Sequence, residues 1–116
     1  MAPDAQEGVG LPFVVHGVAR LPKSICGESP ACLLVELVLD AEDQRVLDVA
    51  AMPSLPGYAA LLKRVLAGCS LDRLEQAGES FAERYRGPLL RPTLAAVANA
   101  ALNWRNQRDQ TTHELD

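Results

Sequence analysis

The strongest structural signal in the chain lies in ACLLVELVLDAEDQRVLDVAAM, residues 31–52, where two alternating apolar segments flank a short polar link. One side of these segments carries Leu33, Val35, Leu37, Leu39, Leu47, Val49 and Ala51. Alternation with a period of two is typical of strands, and a link of about four polar residues is typical of hairpins. The leucine content of residues 31–40 also fits a helix, but the valine spacing and the following turn favour a strand. We therefore predict an antiparallel hairpin formed by residues 31–40 and 45–52.

A third strand is predicted before this hairpin, in residues 12–20, which read PFVVHGVAR. Apolar and mixed positions alternate there, and Leu21-Pro22 ends the strand because proline lacks a backbone donor and restricts its predecessor. The first eleven residues mix Pro, Gly and acids without periodicity, so residues 1–11 are expected to form a flexible N-terminus.

The second half of the chain has helical periodicity. Three apolar stripes with a spacing of three and four residues mark Tyr58, Leu61, Leu62, Val65 and Leu66, then Leu71, Leu74, Phe81 and Tyr85, then Leu94, Val97, Ala98, Ala101 and Leu102. Ser54 and Ser70 are the predicted N-caps of the first two helices, and Pro92-Thr93 opens the third. Gly68 and Gly87-Pro88 end the first two. Alanines in the third helix allow a neighbouring backbone to approach closely.

These elements predict an α+β fold of order β-β-β-α-α-α, a three-stranded antiparallel sheet with helices packed on one face. Residues 12–105 are expected to form a single domain, and residues 106–116 a polar C-terminal tail. The chain of 116 residues is 48% apolar and 22% charged, which excludes a disordered or low-complexity polymer. Two domains are not expected, because halves of this size have difficulty burying a core.

Charge and hydropathy narrow the function classes. The formal net charge is −4, and the nine arginines are spread from Arg20 to Arg108, so nucleic-acid binding is disfavoured. No apolar run reaches the roughly 20 residues of a membrane span. The start of the chain has no basic segment of the kind that begins a signal peptide, so we expect a cytoplasmic protein without membrane partners.

The face of the sheet opposite the predicted helices is unusually apolar for a surface. Its predicted residues are Leu34, Glu36, Val38, Val46 and Asp48. Scattered surface aliphatics are normal, but a contiguous patch of several hundred Å² is rare on a monomer. We therefore expect a homo-oligomer that uses this face, with a dimer as the commonest symmetric assembly.

Catalytic motifs for phosphate binding, zinc hydrolysis or serine catalysis are missing from the sequence. Cys26, Cys32 and Cys69 are the most reactive side chains, and together with His16 or an aspartate they form a conceivable metal site. Their spacing matches no zinc or redox pattern, and the alternative is that they are unrelated thiols in a reducing compartment.

A small-molecule pocket is a further hypothesis. His16 is able to exchange a proton near neutral pH, and Arg20, Arg84 and Tyr85 together suit a small anionic ligand. The alternative for the arginines near Gly87 is that they stabilise the negative end of a helix dipole without any ligand.

Four segments, VVHGVARLP, ACLLVELVLDAEDQRVLDV, LLKRVLAGCSL and FAERYRGPLLRPTLAAVANA, resemble a bacterial family known as domain of unknown function 3870. The matching landmarks over about residues 13–105 are Gly17, Ala19, Leu21, Pro22, Gly68, Leu71, Glu83, Arg84, Tyr85 and Gly87. The chain departs from the family at residues 51–58, where members tend to carry a polar stretch with threonine. The resemblance implies no activity. The predicted order of elements is also similar to that of NifU-type iron–sulfur scaffold proteins, although their cysteine and aspartate ligand pattern is missing.

The sequence thus predicts a non-catalytic accessory or ligand-binding domain that acts as a homo-oligomer and takes a protein partner or a small anionic ligand. No residue pattern calls for a cofactor. The alternatives are a thiol- or metal-dependent protein that uses Cys26, Cys32 and Cys69, and a small-molecule enzyme with a pocket at His16, Arg20 and Tyr85.

Overall fold

A computed structural model describes residues 10–23 and 31–115 of the chain, with side chains as far as Asn106. Its strands and helices are β1 (Phe13–Arg20), β2 (Cys32–Leu39), β3 (Val46–Met52), α1 (Pro56–Leu66), a 3₁₀ turn (Leu71–Arg73), α2 (Leu74–Arg84) and α3 (Leu90–Leu115). The strands form an antiparallel sheet in the order β1-β2-β3. The predicted α+β fold is therefore confirmed. In the part of the chain that the structure describes, no helix is long and apolar enough to cross a membrane.

The core lies between one face of the sheet and the helices. Alternate residues of β2, the central strand, point into it, and all four are fully buried: Leu33, Val35, Leu37 and Leu39. Helix α3 packs mainly on β1 and β2, and α1 packs on β3. The helices thus complete this face within a single chain. The predicted stripe of α3 is wrong at two positions, since Ala98 and Leu102 are exposed.

Gly17 sets the distance between β1 and α3. A Cβ atom on Gly17 would overlap the Ala96 carbonyl oxygen and lie 2.8 Å from the Ala100 Cβ. Ala96 and Ala100 are both fully buried. The backbones therefore meet directly at this point, and the predicted role of the alanines in close approach is confirmed.

The predicted alternation of β3 is wrong at its start. A β-bulge opposite Val38 and Leu39 places one extra residue in β3, so the register shifts there. Val46 is consequently 1% exposed and belongs to the core, whereas Leu47 is 50% exposed. Val46 is thus removed from the predicted oligomer interface, because the bulge turns its side chain to the opposite face.

Helix ends differ from the sequence prediction by a few residues. Leu55, rather than Ser54, is the N-cap of α1, and it makes no side-chain capping bond. Ser70 precedes the 3₁₀ turn rather than α2 itself, also without a side-chain cap. Helix α3 begins at Leu90, before the predicted Pro92, and its backbone continues to Leu115 through the residues predicted as a polar tail. Gly68 has a φ of 85°, which confirms it as the left-handed residue after α1.

Candidate functional site

The uncovered side of the sheet, which we call the outer face, presents a regular grid of side chains. Its rows across the strands are Val14–Val38–Asp48, His16–Glu36–Ala50, Val18–Leu34–Met52 and Arg20–Cys32. Apolar residues dominate the first and third rows, and Leu34 and Met52 are 45% and 69% exposed. The predicted interface residues Leu34, Glu36 and Val38 all lie on this grid.

A polar row separates the two apolar rows of the outer face. In it, His16 Nε2 lies 2.9 Å from Glu36 Oε1 across the β1–β2 pair. Both side chains are substantially exposed, so this pair contributes at most about 1 kcal/mol to monomer stability. Its position at the centre of an apolar patch matters more, because it places one acidic and one basic group side by side.

The free edge of β1 is occupied by side chains from α3. Asn99 Oδ1 accepts the Val18 N–H at 2.9 Å, and Asn103 Nδ2 donates to the His16 carbonyl oxygen at 3.0 Å. The two asparagines also bond to each other, since Asn103 Nδ2 donates to Asn99 Oδ1 at 3.2 Å. They take the place of a neighbouring strand at this edge, which hinders the addition of a further strand.

The edge of β3 is occupied where the bulge lies. The Val46 N–H donates to the Cys69 carbonyl oxygen at 2.9 Å, and the Gly68 N–H donates to the Val46 carbonyl oxygen at 2.7 Å. The turn after α1 therefore pairs with β3 like a very short strand. Both edges of the sheet thus have partners within the chain.

Asp48 lies at the border of the outer face rather than within its apolar part. Its Oδ1 accepts the Val49 N–H at 2.8 Å and lies 3.1 Å from Lys63 Nζ on α1. The Val49 N–H, and next to it Lys63, lower the pKa of Asp48 below its ordinary value of 3.8. Asp48 is already engaged within the chain, so it forms the rim of the predicted interface.

The four residues of the predicted ligand pocket do not converge. His16 and Arg20 are on the outer face, about 13 Å apart along β1. Tyr85 packs on the opposite side of the sheet, stacked on Phe81 with ring centroids 5.1 Å apart. Arg84 is exposed in the last turn of α2. The structure therefore does not bring the four residues together in one pocket, because the sheet lies between His16 and Arg20 on one side and Tyr85 on the other.

Tyr85 and Gly87 have a structural role in the turn between α2 and α3. The Tyr85 hydroxyl accepts the Leu89 N–H at 3.3 Å, and a side chain on Gly87 would collide with this hydroxyl. Arg86 donates to the carbonyl oxygens of Ala82 and Glu83 at the end of α2. This is the arrangement expected for a cation at the negative end of a helix.

The structure does not bring the two described cysteines of the predicted thiol or metal site together. Cys32 is at the start of β2, whereas Cys69 lies beside Val46 at the opposite end of the sheet. Seven strand residues separate these ends, a span of about 23 Å. Cys26 lies outside the described residues. Among residues 10–23 and 31–115, no group of three His, Cys, Asp or Glu side chains is placed to hold a metal ion.

A groove between α2 and α3, about 520 Å³ in volume, was not predicted from the sequence. Its floor contains Leu66, Phe81 and Val97, and Asp72, Glu75 and Glu79 lie along one side. We call it the α2–α3 groove. The spacing of the three acidic residues was visible in the sequence, but the gap between the helices depends on their packing.

Comparison with known proteins adds no relative: no family model matches the chain, and no curated protein or solved structure is significantly similar to it. The resemblance to the domain of unknown function 3870 family and the likeness to NifU-type scaffolds therefore stay predictions.

Proposed function

We propose that this protein is a non-catalytic assembly domain that forms a homodimer through the outer face of its sheet. The observation that carries the proposal is the pair of apolar rows on either side of the His16–Glu36 pair. Val14 and Val38 form one row and Val18, Leu34 and Met52 the other, with Ala50 between them at the β3 side. Burial of such a patch is favourable in proportion to its apolar area.

The charge pattern of the outer face favours a second copy of the chain as the occupant. A two-fold axis that passes beside the His16–Glu36 pair brings His16 of each copy towards Glu36 of the other. The apolar rows on either side then face each other, as isologous contacts require. The central pair thus makes the face complementary to itself, and it would also set the orientation of the two copies.

Face-to-face packing is favoured over edge-to-edge pairing of two sheets. Asn99 and Asn103 occupy part of the β1 edge, and the Gly68–Cys69 turn occupies part of the β3 edge. Additional strands would first have to displace these hydrogen bonds. The two sheets can instead stack at the usual separation of about 10 Å without breaking any of them.

The size of the patch sets the expected affinity. Three strands and about six residues span roughly 14 by 20 Å, which is smaller than the roughly 800 Å² per partner of a standard interface. We therefore expect a dissociation constant in the micromolar range, and the measurement has to cover concentrations on both sides of it.

Sedimentation equilibrium over a range from low to high micromolar concentration tests the proposal. The wild-type chain should change from monomer to dimer, and Leu34→Glu should stay monomeric because it places a charge in the apolar row. Leu47→Glu is the matched control, since Leu47 is exposed to a similar extent, 50% against 45%, but lies at the bulge. A wild-type monomer at every concentration contradicts the proposal, as does equal weakening by the two variants.

A further inference from the structure

The α2–α3 groove combines an apolar floor with a one-sided acidic border. Leu66, Phe81 and Val97 are buried beneath it, and Leu71 and Leu94 are half-buried at its sides. At Gly78, which also lines the groove, a Cβ would lie 3.0 Å from the Leu94 side chain, so α2 and α3 pack closely at this point.

Three carboxylates follow one side of the groove. Asp72, Glu75 and Glu79 are exposed and are spaced at i, i+3 and i+7, so they share one side of the 3₁₀ turn and α2 over about 10 Å. None of them forms an ion pair with a cation among the residues that the structure describes. Arg105 of α3 is the one basic residue in the lining described.

We propose that the α2–α3 groove binds an amphipathic helix of a partner protein whose apolar side is flanked by lysine or arginine residues. Apolar anchors at i, i+3/i+4 and i+7 of such a helix would enter the groove. Basic residues at the same spacing would face Asp72, Glu75 and Glu79, and each carboxylate would gain an ion-pair partner that it lacks among the described residues.

The row of three carboxylates selects this occupant over others. A single small cation would meet one or two of the acids, whereas a helix meets all three along its length. An acidic peptide or a nucleic acid would be repelled. The groove is also on the helix side of the sheet, so the proposal is independent of dimer formation through the outer face.

Fluorescence anisotropy with two synthetic peptides tests the proposal. Each has about 14 residues, enough for a marginally stable helix, with leucine anchors and with lysine in one peptide and glutamate in the other at the flanking positions. The lysine peptide should bind, with an affinity that falls as salt rises, and the glutamate peptide should not. The double variant Glu75→Lys/Glu79→Lys should lose at least tenfold affinity for the lysine peptide and gain affinity for the glutamate peptide.

A steric variant separates groove binding from general attraction to an acidic protein. Ala98 lines the groove and is exposed, so Ala98→Trp should block the lysine peptide without disturbing the core. Ala95→Trp is the matched control, because Ala95 is exposed on the same helix outside the groove lining. Equal binding by the wild type and Ala98→Trp overturns the proposal. Binding of an alkylammonium ion with no binding of the lysine peptide also overturns it, in favour of a small cationic ligand.

Discussion

The two faces of the sheet are built from similar residues, yet they have different surroundings. On β2, Leu37 points to the helices and is 0% exposed, whereas Leu34 points the other way and is 45% exposed. Both are leucines in the same central strand, three positions apart. The difference shows that strand composition does not tell which face is buried. The inner face is completed by α1 and α3 of the same chain, and the outer face has no counterpart among the described residues.

The largest expected effect follows from truncating one leucine on each face. Leu37→Ala should lower the free energy of unfolding by about 2–5 kcal/mol, since it leaves a cavity in the core. Leu34→Ala should cost the monomer less than about 1 kcal/mol, because much of its side chain is already in water. Urea unfolding at a protein concentration well below the expected dissociation constant of the proposed dimer measures both. Similar losses in the two variants would mean that the outer face is covered within the monomer.

An intermediate effect on the free energy of unfolding is expected at Gly17, where the backbones of β1 and α3 meet directly. Gly17→Ala adds one methyl group that overlaps the Ala96 carbonyl oxygen, so β1 and α3 must separate. The expected loss in unfolding free energy is about 1–3 kcal/mol. Gly57→Ala is the matched control, because a Cβ at Gly57 meets nothing within 4 Å. A Gly17→Ala variant as stable as this control would contradict the close contact between the two backbones.

Much of the fold was predictable because its signals are local. The alternation in residues 12–20 and 31–40 requires only a strand with one buried side, and the stripes of α1 and α2 require only one apolar side of a helix. The bulge in β3 was not predictable, since Val46 and Leu47 are both apolar and either fits the core. Which of them is buried depends on the turn that pairs with Val46 after α1.

The candidate sites were less predictable because they depend on distances between elements. The outer-face residues Leu34, Glu36 and Val38 follow from strand alternation alone. Strand alternation does not tell whether Arg20 and Tyr85 come together, because they are 65 positions apart in sequence. In the structure they lie on opposite sides of the sheet. The contact of Tyr85 with Gly87 explains the presence of this tyrosine better, because the two residues shape the turn between α2 and α3. The α2–α3 groove is a gap between helices, and no local pattern encodes a gap.

The smallest expected effect concerns the rim of the outer face, at Asp48. The pKa of Asp48 is lowered in the folded state, so this carboxylate stabilises the fold above its ordinary value of 3.8. That contribution is lost as the pH falls through the lower, folded pKa. We therefore compare urea unfolding at a pH above 3.8 and at a pH below the folded pKa of Asp48. Between these two pH values, Asp48→Asn should lose less unfolding free energy than the wild type. Lys63→Gln should keep part of the acid sensitivity, because the Val49 N–H is the largest single cause of the lowered pKa and does not depend on Lys63. If Lys63→Gln instead matched Asp48→Asn, the salt bridge around the sheet edge would be the dominant interaction, and Asp48 would be held towards α1 rather than along β3.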